Sequence, residues 1–471
     1  MFYLRRCLFI FGLLAGFIAH AQTAGVSPAP VKDTGYLIVR NILVQGNKKT
    51  RTSILLRELS TVPGDTIYLK DLSQTLEDRR KQLLNTSLFL NVTANIKNWK
   101  GKEADLVFEV WERWYIIPFP IFKLADRNFN QWWVAEGHSL NRVNLGLRVT
   151  HSNLTGRMDR LVVGAQMGYT QKLTVAYTLP YIDKHYHNGL GINFSLSRNR
   201  EINDSTSFNK QLFYKSRDFI QHQYTAGLVY SYRKAINTRH QVFLNYYYED
   251  LADSVALLRP NYLGGGRSRV QYLELMYLLT YINADSWKYP LRGVQYQASI
   301  SRRGIPPIDD IKDWQVRARA ARYWQLGAKT FGALGARGQA MLPENQPYIN
   351  QKALGYNDDF LRGLEYFVID GTSFFMAQST FRYEAWNFNL HLPVVPGKFN
   401  RIPFRLFLKA YGDMGYVYNK LPGNGMLNNK MLYTAGVGLD IVSFYDTCLR
   451  LEYSINQLGQ KGLFLHTKID M

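Results

Sequence analysis

Cysteine is almost absent from this 471-residue chain, which has only Cys7 and Cys448. Cys7 lies in an N-terminal segment with the form of an export signal: Arg5 and Arg6, an apolar stretch from Leu8 to Ala19, then Ala19-His20-Ala21, with cleavage expected after Ala21. Removal of that segment leaves one thiol, so no internal disulfide is possible, and a cysteine placed before the apolar run does not suit a lipoprotein anchor. Long apolar runs are missing too. The stretch from Leu8 is shorter than the roughly 20 residues a helical span requires, the polar, Pro-containing linker 22–36 follows it, and no later segment is a candidate. What remains after export is either soluble or enters a membrane as a closed sheet, because unpaired backbone groups cannot face lipid. Catalytic signatures are scarce as well. There is no Gly-x-Ser-x-Gly elbow, phosphate-cradling loop or HExxH; Gly264-Gly265-Gly266 lacks the Lys-Ser/Thr that would follow, and His185-x-His187 lacks a third ligand and reads as a polar turn. No enzyme activity, cofactor or metal is expected. Acidic residues are outnumbered, 36 against 57 Lys and Arg, for a net charge of +21. The basic residues are spread along the chain without a dense run or a nucleic-acid module, so nucleic acid is not expected as a partner.

What is abundant suits strands. Thirty-two Tyr, 36 Gly and 14% aromatics fit strands, turns and interfacial girdles. A mean hydropathy of -0.24 disfavours helical membrane proteins but not barrels, whose lumen is polar. Residues 37–114 read as a compact α/β unit. Leu37 to Val44 is a β-branched run, Gly46-Asn47 a turn, and Thr52 to Leu59 has helical spacing. After Pro63-Gly64-Asp65, Leu72, Leu76, Leu83 and Leu84 form a second helical face, and two strands close the unit, Phe89 to Ile96 and Ala104 to Val110. The predicted order is strand, helix, helix, strand, strand.

From 115 to 471 period-two alternation recurs, as in Leu173, Val175, Tyr177 and Leu179 or Val294, Tyr296, Ala298 and Ile300. About sixteen such segments of about ten residues each match an even-numbered outer-membrane barrel. The fold class is therefore mainly β, a sixteen-stranded antiparallel transmembrane barrel after one small α/β domain. Long connections (199–221, 250–268, 342–373 and 413–430) alternate with short ones (152–159, 234–239 and 442–446), with 386–402 the exception. Long loops outside and short turns inside would put the N-terminal domain in the periplasm. Tyr246-Tyr247-Tyr248 and Trp132-Trp133 are expected at membrane interfaces, and much of the positive charge on loops, in the lumen and against lipid headgroups.

These residues resemble a known superfamily, in which polypeptide-transport-associated (POTRA) domains precede a sixteen-stranded barrel, as in BamA/TamA-type assembly factors and two-partner secretion transporters. In the first domain the resemblance rests on Ile42-x-Val44-x-Gly46-Asn47, Gly64-Asp65, Leu88-Phe89-x-x-Val92, and Val107-x-Glu109-Val110 with Glu112. In the barrel, Leu361-Arg362-Gly363-Leu364 is similar to the arginine-glycine tip of a loop folded into the lumen between the eleventh and twelfth strands, with Leu364 where the family often has an aromatic residue. Phe374 to Glu384 resembles the next strand, and Gly412-Asp413-Met414-Gly415 the thirteenth-strand motif whose carboxylate pairs with the arginine. The resemblance implies that Arg362 and Asp413 lock the loop, where the bare sequence on its own favours an exposed turn arginine. Arg382 and Glu384, on the polar face of the next strand, either join that network or simply line the lumen.

A single POTRA domain suggests a secondary or specialised member. The expected function is outer-membrane protein assembly, insertion or translocation. In this reading the POTRA domain binds client or partner chains and the seam between first and last strands templates insertion. The expected partners are outer-membrane lipid, unfolded outer-membrane or secreted clients, and periplasmic chaperones or lipoproteins. Pro118 and Pro120 would weaken that seam from the opening strand, unless they belong to the interdomain linker, and Gly462 would weaken it from the closing strand, Lys461 to Asp470. A dedicated two-partner secretion transporter and a passive pore are the alternatives.

Overall fold

The computed structural model describes residues 35–124, 137–305, 309–356, 358–391, 401–443 and 447–466. The export signal, most of the linker, Trp132-Trp133 and the terminal residues 467–471 lie outside them.

The N-terminal unit opens with β1 (Tyr36–Gln45) and α1 (Thr52–Glu58), followed by β2 (Thr66–Tyr68), α2 (Leu72–Asn85), β3 (Phe89–Lys100) and β4 (Glu103–Glu112). The three-residue β2 was not anticipated. It pairs antiparallel with the start of β1 through Tyr36 and Tyr68, too short a run to show a period. The sheet runs β2-β1-β4-β3, with β1 and β4 parallel, so among the described residues β3 is the long free edge. Its core follows the alternation and the helical spacing: Val39, Leu55, Leu83, Phe89, Val92, Leu106 and Phe108 pack together, fully buried or nearly so. Gly46 turns the chain with φ +90°, and a Cβ there would lie 2.3 Å from the Val110 carbonyl oxygen. Gly46→Ala is therefore expected to destabilise this domain by about 1–3 kcal/mol. Faster hydrogen exchange across residues 37–112 of the full chain, with the barrel unchanged, would be the signature.

Sixteen antiparallel strands follow in one sheet, ordered along the chain from the first (Ile116–Leu124) to the last (Lys461–His466). Inward and outward residues alternate. On the thirteenth strand (Arg401–Tyr418), Phe407, Lys409, Tyr411 and Asp413 are buried, whereas Leu408 and Met414 point outward and are exposed. That is the pattern of a polar lumen inside a lipid-facing wall. Tyr246 is exposed on the outer wall, but Tyr247 faces inward, stacks on Tyr272 and donates to Glu274. The expectation of a membrane-interface cluster therefore fails for the middle tyrosine, because a period-two strand cannot present three consecutive residues on one face. Asp413 lies within the thirteenth strand, so the following connection begins at Asn419 and not at 413.

Several connections at the end away from the N-terminal domain are long and structured, whereas the third and fourth strands turn over at Tyr169 and the fifteenth and sixteenth at 457–460. Residues 199–221 carry an unforeseen hairpin (Glu201–Ser207 with Lys210–Lys215), and 253–258 form a short helix. Asn209 knits two further loops together, donating to Val368 O at 3.0 Å and accepting from Met426 N at 2.6 Å.

At the near end the N-terminal domain sits on the short turns. Arg51 N donates to Gly156 O at 3.0 Å, and Arg57 donates to the carbonyls of Tyr186 and Lys234, each at 3.0 Å. Glu58 pairs with Arg233 at 2.7 Å and accepts from the Tyr181 hydroxyl.

Among the described residues, no ladder joins the first barrel strand to the last; these two are the ends of the sheet. Pro118 and Pro120 lie inside the first strand, opposite Val149 and Leu147, and not in a linker. Gly462 lies opposite Ser454 in the last strand.

Candidate functional site

The connection between the eleventh strand (Thr330–Leu342) and the twelfth (Ser373–His391) is drawn into the barrel. Apolar residues anchor it: Leu361, Leu364, Phe367 and Ile369 cluster with Phe374, Met376, Val417 and Leu432 of the wall. Leu361 reaches the wall because position 415 is glycine; a Cβ there would meet Leu361 Cδ1 at 3.0 Å. Gly415 thus accommodates the loop tip.

Arg362 is buried beside Asp413. Its Nε donates to Asp413 Oδ2 at 2.8 Å, its Nη2 to Oδ1, and its backbone N–H to Oδ2 at 3.1 Å. Nη1 donates to Thr380 Oγ1 at 3.0 Å, Nη2 to Ser379 O at 3.2 Å, and the guanidinium lies 4.1 Å from the centre of the Tyr411 ring. A planar fork satisfied on both sides pins the tip against the twelfth and thirteenth strands. Gly363 has φ +96°, and a Cβ there would lie 2.9 Å from Ser454 Cβ, while its carbonyl accepts from Asn456 at 2.8 Å. Gly363→Ala should therefore lift the tip from the fifteenth strand (Thr447–Asn456); limited proteolysis of folded protein should cut 343–372 faster than in wild type.

The structure separates the other two lumenal residues from this lock. Arg382 belongs to a second cluster nearer the N-terminal domain. There Asp440 receives Lys409 at 2.6 Å and the Tyr289 hydroxyl at 2.8 Å, with Arg382 and Arg450 at 3.8 and 3.9 Å. Glu384 joins neither cluster; it pairs with Arg405 at 3.0 Å. Sequence reasoning did not find Lys409, Asp440, Arg450 and Glu452, whose inward alternation on the last strands was the available signal. It also missed the turn 285–292, which folds into the near end and packs Tyr289 and Leu291 against Phe331, Phe407, Val442 and Cys448. Two segments thus occupy the lumen, one from each end. His185 and His187 sit in a near-end turn with their rings stacked at 6.2 Å. Between α2 and the barrel mouth lies a cavity of about 1160 Å³, lined by Gln74, Asp78, Arg79, Gln82, Arg239 and Trp287 among others.

A sixteen-stranded barrel with an inward loop locked by an arginine-carboxylate pair, carrying a small α/β domain at one mouth, defines a class of outer-membrane protein. Residues 37–113 match the POTRA family described as surface antigen variable number repeat, and residues 153–376 match the Omp85 superfamily domain. The chain is a POTRA-plus-barrel member of the Omp85 superfamily. Its fold is similar to that of BamA from Haemophilus ducreyi lacking POTRA domains 1-3, with a TM-score of 0.52 at 17% identity, covering 92% of this chain and 83% of that one. CdiB from Acinetobacter baumannii aligns with a TM-score of 0.49 at 14% identity, covering 91% and 73%. No curated protein sequence matches the chain. The superfamily comprises outer-membrane assembly factors and transporters that handle protein clients, and these are not enzymes.

Proposed function

We propose that this protein assembles or inserts other outer-membrane proteins, with its POTRA domain in the periplasm and its barrel seam as the template. One observation carries the reading: the first and last strands share no ladder among the described residues, leaving two strand edges where a closed pore would have none. An open edge pairs with an incoming strand by β-augmentation. Pro118 and Pro120 each remove a donor from one edge, which keeps self-closure weak. Ile116, Ile117, Phe119 and Phe122 are exposed beside it, a surface for outer-membrane lipid or an apolar client strand. The twelve-residue free edge of β3 offers a second docking line for an unfolded client, a chaperone or a lipoprotein. In this reading the Arg362–Asp413 lock braces the twelfth and thirteenth strands, and a lumen filled from both ends opposes a wide constitutive pore.

Depletion in the native host, followed by quantification of the outer-membrane and secreted proteomes, tests the reading. Loss of several unrelated barrel proteins, restored by the wild-type gene and not by Arg362→Ala, is the expected result. Loss of a single secreted protein would replace it with dedicated two-partner secretion, and an unchanged proteome would remove both.

A further inference from the structure

The loop tip also reaches the last barrel strand, where a different chemistry converges. Glu365 of the loop, Glu452 of the fifteenth strand and His466 of the sixteenth place one ligand atom each within 4.8 Å of the others. His466 Nε2 lies 3.3 Å from Glu365 Oε1 and 3.3 Å from Glu452 Oε2. The contact with Glu365 is a long hydrogen bond, against the about 2.7–2.9 Å usual for a charge-assisted one. Nitrogen and oxygen ligands at about 2.0–2.2 Å around a tetrahedral ion stand about 3.3–3.5 Å apart, and the two His466 separations match that edge.

A second observation concerns Glu452. Its side chain is fully buried, and among the described residues its carboxylate meets only two cations or potential cations, Lys409 at Oε1 and His466 at Oε2. Lys409 Nζ faces Oε1 at 2.5 Å but also neutralises Asp440 at 2.6 Å, which leaves Oε2 on the side of His466. The Phe360 ring stacks on the imidazole, with centroids 5.3 Å apart and planes at 24°, and so fixes its orientation.

We propose that Glu365, Glu452 and His466 bind one divalent transition-metal ion of the zinc class. One imidazole nitrogen and two carboxylates are a three-ligand set that suits zinc, with a fourth position for water. Calcium and magnesium prefer six or more oxygen ligands and gain little from the imidazole. The bound ion joins the inward loop to the two strands on one side of the seam, a cross-link that Arg362 does not supply. The site stands independently of the assembly role proposed above.

The test uses full-length protein purified in detergent without a polyhistidine tag, stripped with a chelator and titrated with Zn²⁺. The expected result is one ion per chain, with affinity reduced about tenfold or more by His466→Ala and by Glu365→Gln. Co²⁺ in place of Zn²⁺ should give the intense visible bands of a four-coordinate ion, lost in both variants. Zn²⁺ should slow hydrogen exchange across residues 461–466 in wild type and not in Glu365→Gln. Heat-modifiable migration on electrophoresis establishes that each variant is folded, and His466→Gln replaces the alanine variant if that one is not. Absence of stoichiometric binding to wild type, or binding unchanged in both folded variants, would overturn the proposal, as would equal competition by Mg²⁺ or Ca²⁺.

Discussion

Arg362→Ala is expected to destabilise the lodged loop by about 3–5 kcal/mol, because it strands the buried Asp413 carboxylate without its partner. Thermal conversion of the heat-modifiable barrel should occur at lower temperature, and the loop 343–372 should become protease-sensitive while the strands persist. Arg362→Lys should recover little of this. An ammonium cannot donate in parallel to both Asp413 oxygens while also reaching Thr380 and Ser379. The double variant Arg362→Met with Asp413→Leu should cost less than either single change if the main penalty is the orphaned charge. A double change as costly as the sum of the singles would show that the two residues act independently and would end the idea of a lock.

Cutting the interdomain pair should have the second largest effect, and one of a different kind. Glu58→Ala leaves the largely buried Arg233 without its carboxylate and is expected to weaken docking of the N-terminal domain by about 3 kcal/mol. Neither module should unfold. Spin labels at the exposed positions Lys70 and Lys329, in a Cys448→Ser background, should change from one narrow distance distribution to a broad one. Acid should act in the same direction. Burial pushes the Glu58 carboxyl up, but the Arg233 charge and hydrogen bond, the Tyr181 hydroxyl and the nearby Arg57 charge outweigh it and hold the group below the ordinary glutamate range. The contribution of Glu58 to docking is therefore complete above the ordinary glutamate pKa, about 4.3, and is lost as pH falls through the lower, docked value. A distribution that stays narrow in the variant and at low pH would mean that the Arg51 backbone N–H and the Arg57 guanidinium suffice.

The strands were legible because a wall between lipid and lumen enforces a period of two, so Leu408 and Met414 alternate with Lys409, Tyr411 and Asp413 in the sequence itself. The loop tip was legible for a different reason. Arg362, Gly363 and Gly415 are residue types that a buried fork, a positive φ and a close approach each require. What escaped was set by tertiary placement. β2 is too short for a periodic signal, and the hairpin 201–215 has a wholly polar run from Asn203 to Ser207 that reads as connection. The inward course of 285–292 is decided by Tyr289 finding Asp440, which is 151 residues away. The convergence of Glu365, Glu452 and His466 likewise depends on how far the loop descends, which no local pattern records.

Two of the inward positions on the fourteenth strand (Met431–Ser443) are Gly436 and Gly438. A Cβ at Gly436 would meet the Tyr411 hydroxyl at 2.4 Å, and one at Gly438 would meet Lys409 Cε at 2.9 Å. These gaps act as a keyway for the neighbouring strand. A slip of one residue would turn Val437 inward against Tyr411 and Lys409 and turn the Asp440 carboxylate out toward lipid, so the misregistered sheet carries both a steric and an electrostatic penalty. This part of the wall proofreads its own strand pairing.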